Sequence, residues 1–380
     1  MEKILNFVDD LLEKSTPEAP SWNIEQIIES KPVHWNYIDG CMLKAIFDLY
    51  YATNNKKYFD FAKNFVDYYI LNEGKEIRGY NVEEYNCDNI NPGKVLFDLY
   101  SITGDEKYKN SIKLQMRQLQ NHPRLEIGNF WHKAIYPYQL WLDGLYMVQP
   151  FYMQYEMLFN EKKNYKDIFN QFKNTFEITR DKETGLFYHG YDEKKEMFWA
   201  EPKTGLSKNF WTRSIGWFAM ALVDTIEKLD EQFFYEYEML QSYLKDLLDS
   251  VLNFKDETNL FYQVTNMGHI KGNYLETSGS LAISYSFMKG SRLGFLPSNY
   301  FNKGFEIFKS IYETKFDYEN FKLKDICLVA GLGGMPGKGN YKLRDGTFEY
   351  YVSEPRVDND AKGVAPFLFC FAEILMCKNL

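Results

Sequence analysis

The chain of 380 residues has room for two average domains or for one large closed one, and its 45% hydrophobic and 26% charged content marks a globular, water-exposed protein. A formal net charge of −9 without any basic stripe argues against a nucleic-acid partner, and no apolar run reaches the roughly 18 residues that a membrane-spanning helix needs. Acidic residues interrupt the opening MEKILNFVDDLLEK where a secretory segment would be unbroken and apolar, so the expected location is the cytoplasm.

Five cysteines, Cys41, Cys87, Cys327, Cys370 and Cys377, are odd in number, scattered and without metal-ligand spacing. They read as reduced and mostly buried, with no metal and no cofactor implied. Aromatic residues reach 18%, and most of these rings belong to core packing, so only those inside motifs carry functional weight.

Along the chain no linker, charge block or low-complexity tract appears, and residues 1–380 are expected to form a single domain. Phe47-Asp48-Leu49-Tyr50 recurs as Phe97-Asp98-Leu99-Tyr100, and Lys57-Tyr58 recurs as Lys107-Tyr108, with a turn (TNN, then TGD) between the members of each set. Met42, Leu43, Ile46, Phe47 and Tyr50 share one helical face, and Phe59, Ala62, Phe65, Val66, Tyr69 and Ile70 repeat that spacing after the turn. The unit is therefore an αα-hairpin. Similar units open on a small residue at Gly93, Gly144, Gly216, Gly279 and Gly363, which with Gly40 makes six.

An open solenoid keeps a nearly fixed period, whereas here the later units are stretched by insertions at roughly 180–212, 255–276 and 320–360. These precede the apolar helices and carry the unusual chemistry. The expected fold is all-α, an (α/α)6 barrel of six hairpins whose connections gather at one end and build a site there.

The unusual residues lie in His34-Trp35-Asn36-Tyr37, Asp88-Asn89-Ile90-Asn91-Pro92, Trp131-His132-Lys133, Trp141-Leu142-Asp143, Tyr188-His189-Gly190 and Trp211-Thr212-Arg213. Asp143 before an apolar helix is either an N-cap or, partly desolvated among Trp and Tyr rings, a general acid. Asp88 ahead of Asn89 and Pro92 reads equally as a turn residue. Arg213, between Trp211 and Trp217, forms an ion pair or grips a carboxylate with its planar fork. His132 and His189 read as buried hydrogen-bonded histidines or as site residues, and neither has a partner at metal-binding spacing. The Gly331-Leu332-Gly333-Gly334 run lacks the Lys-Ser/Thr of a phosphate loop, which leaves a flexible or sugar-contacting loop.

Four stretches, WHKAIYPYQLWLDGLYMVQPF (131–151), FWTRSIGWFAMALVD (210–224), LETSGSLAISYSFMKG (275–290) and EYYVSEPRVDNDAKGVAPFLFCFAEI (349–374), together resemble the unsaturated rhamnogalacturonyl hydrolases of glycoside hydrolase family 105. Unsaturated glucuronyl hydrolases are more distant relatives of that family. The resemblance implies an (α/α)6 barrel without a metal that acts on the 4,5-unsaturated galacturonyl group at the non-reducing end of rhamnogalacturonan fragments. It implies that Asp143 is the catalytic acid/base. Tyr37, Asp88, His132, Lys133, His189, Trp211, Arg213, Trp217, Gly333 and Gly334 would bind substrate. Departures at Asn89-Ile90 and Ser214-Ile215 bear on the shape of the subsites.

The implied reaction is hydration: Asp143 protonates C4 of the enol ether, then activates water toward C5, and the product opens and expels the remaining sugar. This differs from the two-carboxylate scheme of most glycosidases. The expected partners are small unsaturated oligosaccharides, with the protein a monomer or homodimer. Two other readings remain at this stage: a sugar isomerase or epimerase using His132 and His189, and a binding toroid without turnover.

Overall fold

The structure, a computed structural model, describes residues 2–30, 32, 34–230, 232–334 and 342–378. In chain order the first half contains α1 (Glu2–Glu13), α2 (Ile24–Glu29), α3 (Tyr37–Thr53), α4 (Lys56–Tyr69), β1 (Ile70–Leu71), β2 (Glu76–Ile77), α5 (Lys94–Thr103), α6 (Glu106–Asn121), β3 (Gln139–Trp141), α7 (Leu142–Phe159) and α8 (Tyr165–Thr179). The second half continues with β4 (Gly190–Asp192), α9 (Thr212–Ile226), α10 (Phe234–Leu252), α11 (Thr277–Arg292), α12 (Tyr300–Thr314), β5 (Phe316–Asp317), β6 (Lys322–Leu323), β7 (Ile326–Cys327), α13 (Phe348–Ser353), β8 (Arg356–Val357) and α14 (Ala361–Lys378).

The sequence repeat has a physical cause at each of its points. Asn54 and Gly104 close α3 and α5 in the left-handed conformation and return their N–H to Tyr50 O and Tyr100 O. Asn55 and Asp105 then cap α4 and α6 by accepting from Lys57 N and Lys107 N. Lys57 and Tyr58 reach Asp9 of α1, and Lys107 and Tyr108 reach Asp67 of α4. Each repeated Lys-Tyr pair thus clamps an aspartate on the preceding outer helix, and α1 stands in the same relation to α4 as α4 does to α6.

Six inner helices, α3, α5, α7, α9, α11 and α14, form a ring that closes where α14 packs on α3. Every residue of α9 from Thr212 to Ile226 is buried, as a helix surrounded by neighbours requires. Outer α10 buries only the stripe Leu240, Leu244, Leu247, Leu248 and Val251. The chain is an all-α (α/α)6 barrel. Its glycines do not open the inner helices, as the sequence reading has it, but mostly sit inside their first turns. The reason is close approach: a Cβ on Gly216 would stand 2.7 Å from Ala282 Cβ, and one on Gly279 would stand 2.8 Å from Arg213 N.

The connections that run from an outer helix back to the next inner one carry all eight short strands, which pair antiparallel as β1–β2, β3–β4, β5–β6 and β7–β8. They gather at one end of the barrel. Cys41, Cys87, Cys327 and Cys370 are buried thiols, Cys377 is partly buried, and all five are unpaired. Among the described residues no helix is long and apolar enough to cross a membrane.

Lys94, the first residue of α5, points into the barrel, where its Nζ donates to Tyr146 O at 2.7 Å and lies 3.3 Å above the centre of the Tyr146 ring. Burial pushes its ammonium down from 10.5 to about 7. Between those values the folded chain binds fewer protons than the unfolded one, so this residue makes stability rise with pH across that window. Chemical denaturation of Lys94→Met at stepped pH should show that rise flattened, with stability near pH 7 unchanged or improved. An unaltered slope would mean that Lys94 keeps its proton in the barrel.

Candidate active site

The ribbon of β3 and β4 sets the centre of the site. Trp141 pairs with Gly190, and one residue further Leu142 N donates to His189 O at 3.1 Å, which brings the next side chain, Asp143, alongside His189. A slip of one residue would turn the alternate side chains to the opposite face. The same ladder extends sideways: His132 N bonds Gln139 O, Cys87 N bonds His132 O, and Asn86 bridges Lys133. Three separate connections are thereby laced together before any helix begins.

Asp143 is the second residue of α7, behind Trp141 at the cap position, and its side chain caps nothing. The N-cap alternative therefore fails by two residues. Its Oδ2 is buried and lies 3.2 Å from His189 Nε2, without the alignment of a hydrogen bond, while the side chain as a whole keeps 13% exposure. His189 is fully buried, and its Nδ1 meets the Tyr351 hydroxyl at 2.7 Å. Burial, with the Asp143 charge nearby, raises the Tyr351 phenol well above its ordinary value, so it keeps its proton and has one to offer Nδ1. With Nδ1 accepting, the matching imidazole tautomer has its proton on Nε2, the nitrogen 3.2 Å from Asp143 Oδ2.

A second group lies across Trp141. The His132 ring stacks on that indole with centroids 4.4 Å apart, and its Nε2 stands 3.7 Å from Asp88 Oδ1. Lys133 Nζ holds Asp88 Oδ2 at 2.5 Å. Burial would raise the Asp88 carboxyl, but Lys133, His132 and Lys362 together, Lys133 foremost, hold the group below the usual carboxylate range. Burial pushes His132 down to about 4, which makes it neutral near pH 7. Tyr37, Asp88 and Lys133 line a cleft of about 180 Å³ together with Glu25, His34, Asn36 and Asn89.

Arg213 lies beneath these groups, 1% exposed. Its Nη1 donates to Ser278 Oγ and to the Cys327 carbonyl, its Nε has no partner among the described residues, and its guanidinium carbon sits 4.7 Å from the Trp211 ring centre. Trp211 is packed between His189 and Tyr351 and donates its indole N–H to Gln263. Trp217 is buried one level deeper, stacked on Tyr146. Gly333 and Gly334 have φ of 99° and 84°, and Gly333 exchanges both backbone hydrogen bonds with Arg344. The structure thus gathers Asp88, His132, Lys133, Asp143, His189 and Trp211 along one wall through Trp141. It sets Tyr37 and the glycine loop at the rim, and Arg213 and Trp217 in the floor.

Three residues of this site carry no role in the sequence reading: Trp141, Tyr351 and Arg344. Trp141 was within reach, as the first residue of the very motif that singles out Asp143. Nothing local separates Tyr351 from the other 29 of the 30 tyrosines. Among the described residues no group of three or more His, Cys, Asp or Glu side chains has the arrangement of a metal site.

The family model of Glycosyl Hydrolase Family 88 matches residues 14–378. The structure of a family 105 glycoside hydrolase from C. acetobutylicum ATCC 824 superposes with a TM-score of 0.85 at 42% identity, covering 93% of this chain and 97% of that one. The unsaturated rhamnogalacturonyl hydrolase YesR of Bacillus subtilis strain 168 is 24% identical over 265 residues, which is 68% of this chain and 72% of its own. The unsaturated glucuronyl hydrolase of Bacillus sp. GL1 shares the fold at 11% identity, with a TM-score of 0.63 over 91% of this chain and 87% of that one.

The hydrogen bond from Tyr351 makes a spectroscopic prediction. Nitrogen-15 NMR of the imidazoles should show His189 as the Nε2–H tautomer near neutral pH, and Tyr351→Phe should release it to a mixture. A variant spectrum with the tautomer unchanged would remove Tyr351 as the group that sets it.

Proposed function

This chain belongs to Glycosyl Hydrolase Family 88, and on that premise we propose that it releases 4,5-unsaturated galacturonic acid from the non-reducing end of rhamnogalacturonan-derived oligosaccharides. The likeness to YesR supports this choice of substrate. The observation that carries the mechanism is the contrast between two carboxyl groups on one wall. Asp88 is locked as a carboxylate by Lys133, whereas Asp143 has no cationic partner and accepts no aligned hydrogen bond from the described residues. The neighbouring acids are committed elsewhere: Glu276 caps α11, and Asp360 binds Lys362. A pair of carboxyls sharing acid and nucleophile roles is thus poorly supported, and a single acid/base is favoured.

In this reading Asp143, protonated, adds its proton to C4 of the enol ether, and the ring oxygen stabilises the cation that forms at C5. The Asp143 carboxylate then takes a proton from water as the water oxygen bonds C5. The hemiketal at C5 opens to a ketone, the ring oxygen leaves with C1 as a hemiacetal, and that hemiacetal collapses to an aldehyde with release of the remaining sugar. His189 Nε2–H steadies Asp143 while it is charged, and one carboxyl serves twice because the two proton transfers are sequential. Asp88 and Lys133 hold sugar hydroxyls, Tyr37 and Gly333-Gly334 bound the sugar at the rim, and Arg213 with Trp211 and Trp217 shapes the floor. His132 braces Trp141 from behind, a poor place for a proton shuttle, which weighs against the isomerase reading.

Asp143→Asn should lower turnover of the unsaturated galacturonyl-rhamnose disaccharide by about 1000-fold or more, followed as loss of the ultraviolet absorbance of its double bond, with binding retained. Turnover by this variant near the wild-type rate would end the assignment.

A further inference from the structure

Removal of a uronate requires a cation that meets its carboxylate, and two of the obvious candidates are already engaged. Lys133 is paired with Asp88, and Arg213, 1% exposed in the floor, has both terminal nitrogens on protein oxygens, which leaves only its buried Nε. Arg344 differs from both. It is partly buried, and its side chain makes no hydrogen bond or ion pair among the described residues. Its backbone is fixed by the exchange with Gly333. A Cβ placed on Gly331 would meet Arg344 Nη1 at 3.0 Å and the six-membered ring of Trp141 at 3.4 Å, so the guanidinium lies beside the indole that precedes Asp143. Tyr136, stacked on the other part of that indole with centroids 5.1 Å apart, adds an aromatic edge. The charges that act on Arg344 are, in order, those of Tyr350, Glu354, Tyr136 and Glu25, and the last of these lines the cleft with Tyr37 and Lys133.

We infer that Arg344 is the residue that receives a sugar carboxylate at the mouth of the site, with its planar fork presented to the ligand beside Trp141. An unpaired guanidinium costs desolvation that a bidentate carboxylate returns, and Arg rather than Lys suits that geometry. The absence of a side chain on Gly331 keeps Nη1 within reach of the indole face. The inference rests on the proposed function and deepens it by naming a specificity-determining residue. The carboxylate belongs either to the unsaturated ring or to a galacturonate further along the chain.

The test compares wild type, Arg344→Gln and Arg344→Lys on three substrates: the unsaturated galacturonyl-rhamnose disaccharide, its methyl ester, and the tetrasaccharide with a second galacturonate. Arg344→Gln should raise KM about 10- to 100-fold with kcat little changed, the range for losing a hydrogen bond to a charged group, and Arg344→Lys should fall between. A defect on the free disaccharide that vanishes with the ester assigns the carboxylate of the unsaturated ring. A defect confined to the tetrasaccharide assigns the distal one. An unchanged KM on all three, in variants with native circular dichroism, overturns the inference while leaving the proposed reaction standing. Calorimetry of the disaccharide with Asp143→Asn, alone and combined with Arg344→Gln, separates the two claims. Binding that depends on Arg344 without wild-type turnover sinks the reaction alone, and no binding to either protein sinks both.

Discussion

Six helices can surround one axis only if their facing sides approach closely and the last returns to the first. In this chain the return is fixed by a small set of contacts between its two ends. Ala361 N donates to Trp22 O, and Lys362 Nζ, almost fully buried, lies 3.2 Å from both Glu25 Oε2 and Asp360 Oδ1. Burying that ammonium is tolerable only because both carboxylates accompany it. With α14 on α3, Trp22 and Glu25 are neighbours of residues 360–362. The same contacts reach the cleft, since Glu25, held by Lys362, lines it beside Tyr37, Asp88 and Lys133.

The precision of the site comes from elements smaller than the helices. Strands of two or three residues lace the connections, and their register decides which side chain faces which. Asp143 stands opposite His189 because Trp141 stands opposite Gly190. Trp141 has a second use as a partition, with His132 flat against it on one part and His189 edge-on at 5.5 Å. A rigid aromatic wall keeps the two titratable groups apart at small entropic cost, because an indole has few rotamers to lose.

An acidic protein that binds an acid must concentrate positive charge locally. Here that charge is layered. Arg213 is sealed under the site with its terminal nitrogens on the Ser278 hydroxyl and the Cys327 and Leu328 carbonyls, and among the described residues it makes no direct ion pair. Lys133 holds Asp88 as a carboxylate, whereas among the described residues Asp143 has no lysine or arginine beside it.

Much of the fold was legible because helices and turns are local. The recurrence of Phe-Asp-Leu-Tyr and Lys-Tyr reported one hairpin repeated, and the stretched spacing reported where connections had grown. Asp143 stood out for the same reason, as an acid between a tryptophan and a glycine at a helix start, although the exact boundary, two residues from the cap position, needed the backbone. The roles of other residues were fixed only by tertiary structure. The bond between His189 and Tyr351 spans 162 positions, and Arg344 reaches Trp141 from another connection entirely. No periodicity encodes such pairs, because they depend on the angle at which six hairpins close and on the register of two-residue ribbons. The sequence by itself determined the helical hairpins, their number and the acid at the head of α7. The closed ring decided which distant side chains that acid would meet, since contacts between connections are set by packing summed over the whole barrel.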